Sequence, residues 1–166
     1  SVKEGKTILF VGTKKSAKNA VEEFAEKCGM PYVNYRWLGG MLTNYQTIKQ
    51  SIKRFFKLQA MSADGTLVRL TKKEGLSLLK ELERLNLYFC GIKHMKKLPD
   101  ILFVLDVNKE NIAVKEANKL GIPVVGVVDS NNTTDGVDYI IPGNDDSIEV
   151  INFYFNTLIK SLLQNK

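Results

Sequence analysis

Lys49, Lys53 and Lys57 follow one another at intervals of four. On an α-helix each such step advances only about 40° around the axis, so the three ammonium groups form one stripe. That stripe lies well away from the Ile48, Ile52 and Phe55 seam, which with Tyr45 steps by 3, 4 and 3 and would face a packing partner. Arg54 sits close by, and a second helical segment adds Lys72, Lys73, Lys80 and Arg84. Cations repeating at one helical turn suit a phosphate backbone: they bind its oxygens and release counterions without reading a base sequence. A solvated face explains any one of these lysines as well; the alignment is what argues for an anion. A second cluster, Lys93-His94-Met95-Lys96-Lys97, follows the helical segments, and Lys14 and Lys15 follow the first strand as further candidate anion contacts.

The block Tyr35-Arg36-Trp37-Leu38-Gly39-Gly40-Met41-Leu42-Thr43-Asn44 holds the only tryptophan. Arg36 and Trp37 suit phosphate gripping and base stacking, and glycines allow close backbone approach. The same block could instead seat Trp37 and Leu38 in a core. His94 is the only histidine, and Cys28 and Cys90 are the only cysteines. Too few ligands gather for zinc, and no nucleophile–base pair forms around His94. The cysteines read as small buried apolar residues rather than a disulfide framework.

An enzyme is the second reading. Asp106, Asp129 and Asp135 fall at or after apolar runs, where a parallel sheet places ligands, and Asp106 with Asp129 could hold Mg²⁺ for phosphoryl transfer or nucleotide binding. Yet Gly12-Thr13-Lys14-Lys15-Ser16 is not a phosphate loop, and no Gly-x-Gly-x-x-Gly follows the first strand. Asp and Asn after strands, including Ser130-Asn131-Asn132, also serve simply as turn and cap residues. A protein-interaction module is the third.

Charge is divided along the chain. Residues 1–97 carry 19 of the 24 basic and 8 of the 18 acidic residues, so a half at +11 adjoins a half at −5. That asymmetry points to one surface for a polyanion and another for something else. The 166 residues, 44% hydrophobic, fit one domain with one core. No apolar run approaches the roughly 20 residues of a membrane span, and the start Ser1-Val2-Lys3-Glu4-Gly5-Lys6 lacks a signal peptide's apolar centre, so an intracellular protein is expected.

The elements that must position these groups read as α/β. Thr7–Gly12, Tyr32–Tyr35, Ile101–Leu105, Val124–Val128 and Asp138–Ile141 are continuous apolar runs, as in strands buried on both faces. Helices are expected from an N-cap at Ser16 to a stop at Gly29, over about 111–120, and over about 146–163 with Ile148, Ile151, Phe155, Leu158, Ile159 and Leu162 on one side. The expected architecture is a doubly wound, five-stranded parallel sheet of flavodoxin-like type. An antiparallel coiled-coil hairpin over residues 43–90 would be inserted in a body made of 1–42 and 91–166. Capping boxes at Thr43/Gln46 and Thr71/Glu74 open its two helices, 62–66 is the turn, and Leu78, Leu82, Leu85 and Phe89 form the second seam.

Three blocks resemble a known family: Arg36 to Asn44; Pro99-Asp100-Ile101-Leu102-Phe103-Val104-Leu105-Asp106 with Glu110, Val114, Glu116 and Gly121-Ile122-Pro123; and Gly136-Val137-Asp138-Tyr139-Ile140-Ile141-Pro142-Gly143-Asn144-Asp145-Asp146. Their order and spacing are similar to those of small-subunit ribosomal protein number two, in its bacterial and organellar form. The resemblance implies a structural, rRNA-binding component of the small ribosomal subunit, in the cytoplasm or an organelle, with no catalytic activity, cofactor, membrane or small-molecule substrate. It also implies neighbouring ribosomal proteins as partners, including, in bacteria, the large RNA-binding protein number one. The resemblance also implies several dozen further residues before the Thr7 strand, basic and aromatic-containing with a Gly-His-Phe-Gly-like sequence, which residues 1–166 do not include. Lys14, Lys15, Arg36, Trp37, Lys49, Lys53, Arg54, Lys57, Lys72, Lys73, Lys93, His94, Lys96 and Lys97 are the residues expected to meet RNA.

Overall fold

A computed structural model describes residues 5–129, 134–144 and 147–163, without the side chains of 68 and 159–163. The chain runs β1 (Ile8–Val11), α1 (Lys18–Cys28), β2 (Tyr32–Val33), α2 (Tyr45–Ala63), a 3₁₀ turn (Thr66–Arg69), α3 (Lys72–Phe89), β3 (Ile101–Leu105), α4 (Asn111–Lys119), β4 (Val124–Val128), β5 (Tyr139–Pro142) and α5 (Ile148–Leu163). The five strands are ordered β2-β1-β3-β4-β5. Every pairing is parallel, with Ile8 opposite Ile101 and Leu102 opposite Val124. The expected doubly wound sheet is therefore present.

Alternation within each apolar run supplies two cores. Phe10, Phe103, Leu105 and Val127 face Val21 and Phe24 of α1 and Ile151 and Phe155 of α5. Phe24 and Phe155 stack at 4.4 Å, and Phe10 meets Phe24 edge-on at 4.9 Å. The opposite face, with Leu9, Val11, Leu102, Val104 and Val124, packs on α4 and on Trp37, Met41, Leu42, Tyr45, Ile48, Ile52, Phe89 and Ile92. Thus the first turns of α2 and the last residue of α3 cover the sheet where a crossover helix would otherwise lie. The basic segment begins inside the core.

Several local readings change. The N-cap of α1 is Ala17 in helical geometry, and the buried hydroxyl of Ser16 caps nothing. At α2 the N-cap is Asn44, not Thr43; the Asn44 side chain accepts from the Thr47 hydroxyl at 2.8 Å and caps no backbone N–H, and the Thr43 hydroxyl is given to Glu116. Of the second capping box the forward half is present: Thr71 Oγ1 accepts from the Glu74 N–H at 3.4 Å, while the Glu74 carboxylate accepts from the Thr71 hydroxyl at 2.6 Å rather than from its backbone N–H. β2 closes after two residues, at Val33. Ser130-Asn131-Asn132 and Asp145-Asp146 lie outside the described residues. No helix among the described residues is long and apolar enough to cross a membrane.

Candidate nucleic-acid interface

The base of the basic segment is organised by one carboxylate. Glu116 of α4, 8% exposed, accepts the Trp37 indole N–H at 3.1 Å, the Gly40, Leu42 and Thr43 backbone N–H groups at 2.7, 3.0 and 3.0 Å, and the Thr43 hydroxyl at 3.1 Å. Burial raises the carboxyl's pKa, but the N–H groups of Thr43, Gly40 and Leu42 and the indole outweigh it, leaving it below its ordinary value. Glu116 thereby fixes the loop that launches α2. One signal in the sequence pointed there: a glutamate falls in register with Ala113, Val114 and Ala117, the buried stripe of α4.

Trp37 serves this knot. Its ring is 6% exposed, so it packs the root rather than offering a face to a base. Arg36 beside it is exposed.

On α2, Tyr45, Ile48, Ile52, Phe55 and Leu58 are buried, while Lys53, Arg54 and Lys57 are exposed and Lys49 is half-buried. Lys49 Nζ lies 4.9 Å from the centre of the Tyr45 ring, and the Tyr45 hydroxyl, its pKa raised by burial, donates to the Met95 carbonyl at 2.5 Å. Phe56, about 20° around the helix from Lys49, sits 6.1 Å from the His94 ring. Lys93 Nζ lies 6.0 Å from the Phe55 ring. The Lys49 end of the stripe therefore adjoins the Lys93–Met95 segment. Arg54 is turned to Glu81 of α3 in a two-pronged pair, both contacts 3.1 Å. Lys97 is paired with Asp100 at 3.1 Å, Lys96 is exposed, and Asp100 also accepts the Thr7 N–H at 2.7 Å.

Other expected contacts are placed elsewhere. Lys72 and Lys73 are exposed at the start of α3, roughly 25 Å along that helix from its root end. Lys14 and Lys15 follow the carboxyl end of β1, whereas Lys97 pairs near its amino end, so the sheet separates them. The crevice at that carboxyl end, between β1 and β3, is filled by the protein's own groups. Both the N–H (3.0 Å) and the hydroxyl of Thr13 donate to buried Glu110, and Lys14 pairs with Asp106 at 3.5 Å. Burial raises the pKa of the Glu110 carboxyl, against the opposing hydrogen bonds from Thr13. Asp106, at φ +64°, also accepts the Lys109 N–H at 3.1 Å. Asp129 follows the neighbouring strand β4. Among the described residues no cluster of three His, Cys, Asp or Glu side chains could hold a metal ion.

This fold, with the Glu116-anchored loop between β2 and α2, can be set beside known proteins. The family described as Ribosomal protein S2 matches residues 1–165. The chain belongs to the ribosomal protein S2 family. It is 58% identical over 155 residues to the small ribosomal subunit protein uS2 of Dichelobacter nodosus, covering 93% of this chain and 58% of that one. It is 57% identical over 157 residues to the uS2 of Marinobacter nauticus, covering 95% of this chain and 63% of that one. The chain spans about three-fifths of the length of these S2 relatives.

Proposed function

We propose that the chain is a structural, non-catalytic part of the small ribosomal subunit that binds rRNA phosphates through Lys49, Lys53 and Lys57 on α2 together with Lys93, His94, Lys96 and Lys97. The observation that supports this reading is the seating of His94 on Phe56 and Lys93 near Phe55, which sets the second basic cluster against the helix that carries the first. Membership of the S2 family and the names of the two relatives support the ribosomal setting. Residues 43–90 act as an inserted helical hairpin on a body of 1–42 and 91–166, its root held by Trp37 and Glu116. Rigid helices presenting cations read the shape of a folded RNA backbone rather than its sequence. Neighbouring ribosomal proteins, among them in bacteria the large RNA-binding protein number one, contact the less basic body. Sedimentation tests this: the chain should travel with small ribosomal subunits at low salt and leave them at high salt. A chain that stays free at every salt concentration contradicts the reading.

A further inference from the structure

A groove of about 930 Å³ opens between α1 and the root of α3, on the side of β1 that carries Thr7. Its volume lies in the range of small-molecule sites. The floor is rigid. The Tyr32 N–H donates to the Gly91 carbonyl at 3.1 Å, and a Cβ on Gly91 would come within 2.1 Å of the Tyr32 carbonyl and 2.7 Å of its ring.

The two walls differ in chemistry. One carries Glu22 and Glu26, the other Lys93, Lys96 and Lys97. Tyr32 donates its hydroxyl to Glu22 at 3.0 Å, with a longer 3.5 Å approach to Glu26; Glu22 is further engaged by the Asn34 amide at 2.9 Å. Burial, Cys90 and Glu22 push the Tyr32 hydroxyl's pKa far up, so it remains a donor. Glu26, exposed at the rim, is the less committed carboxylate. A carboxylate only accepts. Of the four common bases, guanine alone offers two adjacent donors, N1–H and the N2 amino group, to such a pair of oxygens; adenine and cytosine set an acceptor beside their donor, and uracil has one donor between carbonyls. The 5′-phosphate on the ribose of such a nucleotide calls for cations, and the wall opposite α1 carries Lys93 and Lys96.

We propose that this groove receives a guanosine 5′-phosphate, free or as an unstacked residue of an RNA strand, with Glu26 accepting from the base edge and Lys93 and Lys96 holding the phosphate. The RNA form rests on the function proposed above; the free form does not.

Calorimetric titration with 5′-GMP, 5′-AMP and 5′-CMP tests it. GMP should bind about tenfold more tightly than the other two, as expected for one paired base contact. Glu26→Gln, on an exposed side chain, should bring the three within about twofold of one another. Lys93→Gln with Lys96→Gln should weaken all three alike and keep the preference. A second measurement locates the source: kethoxal attacks guanine at N1 and N2, so a guanine of small-subunit rRNA protected by the wild-type chain and not by Glu26→Gln assigns the RNA form. A preference for GMP without a protected guanine assigns the free nucleotide. Equal affinities together with no protected guanine overturn the groove's role, and steep salt dependence of rRNA binding in that same outcome leaves the RNA-binding reading standing.

Discussion

Glu116 on α4 accepts the indole N–H of Trp37 at 3.1 Å across 79 positions of sequence, and three backbone N–H groups of the following loop converge on the same carboxylate. A single side chain thus ties the start of the basic segment to the sheet's covering helix. The stiffness of that joint decides where the cations of α2 stand.

Glu116→Gln keeps the size but offers one accepting oxygen in place of two, leaving buried donors unpaired. We expect a loss of about 2–3 kcal/mol in stability and a Tm lower by roughly 4–10 °C, measured by thermal unfolding at pH 7.

The two buried glutamates should respond to pH in opposite directions. Glu116 is held below its ordinary pKa of 4.5, so its contribution is present above that value and is lost as pH falls through the folded pKa. Glu110 is held above 4.5, so stability is lost as pH rises from there through its folded pKa. Measured by denaturant unfolding, Glu110→Gln should therefore gain on the wild type as pH rises from 4 to 7, whereas the deficit of Glu116→Gln should shrink as pH falls below 4.5. Parallel curves for both variants would contradict these assignments.

Gly91→Ala should destabilise the protein by about 3 kcal/mol, since the added methyl collides with the Tyr32 backbone and ring rather than with a movable chain end. Urea unfolding reads this directly. An unchanged midpoint would show that the root of α3 is not pinned to β2.

The body was largely legible in the sequence because strands buried on both faces are unbroken apolar runs, and Ile101–Leu105 and Val124–Val128 begin and end where those runs do. Periodicity likewise marked Ile48, Ile52 and Phe55 as the inward side of α2. Hydrogen-bonding partners were less visible. Thr43 and Thr71 both precede a residue three positions on that could complete a capping box, but Glu116 takes the Thr43 hydroxyl, whereas the Thr71 hydroxyl stays with Glu74. Trp37 carried two readings, stacking surface or core, and only the long-range partner on α4 separates them. The apposition of His94 and Phe56 needed the fold, because it depends on how the last turn of α3 returns to the root of α2.

The most direct test of the proposed RNA-binding flank is the salt dependence of binding to a folded fragment of small-subunit rRNA. With about six phosphates neutralised, log Kd against log salt should change with a slope of roughly 4 to 5, and Lys49→Gln, Lys53→Gln and Lys57→Gln combined should reduce that slope by roughly 2 to 3. Lys14→Gln with Lys15→Gln, at the opposite end of β1, should leave it within about 0.5. An unchanged slope in the triple variant, or an equal drop in the Lys14/Lys15 variant, would contradict a flank built from α2 and the Lys93–Lys97 segment.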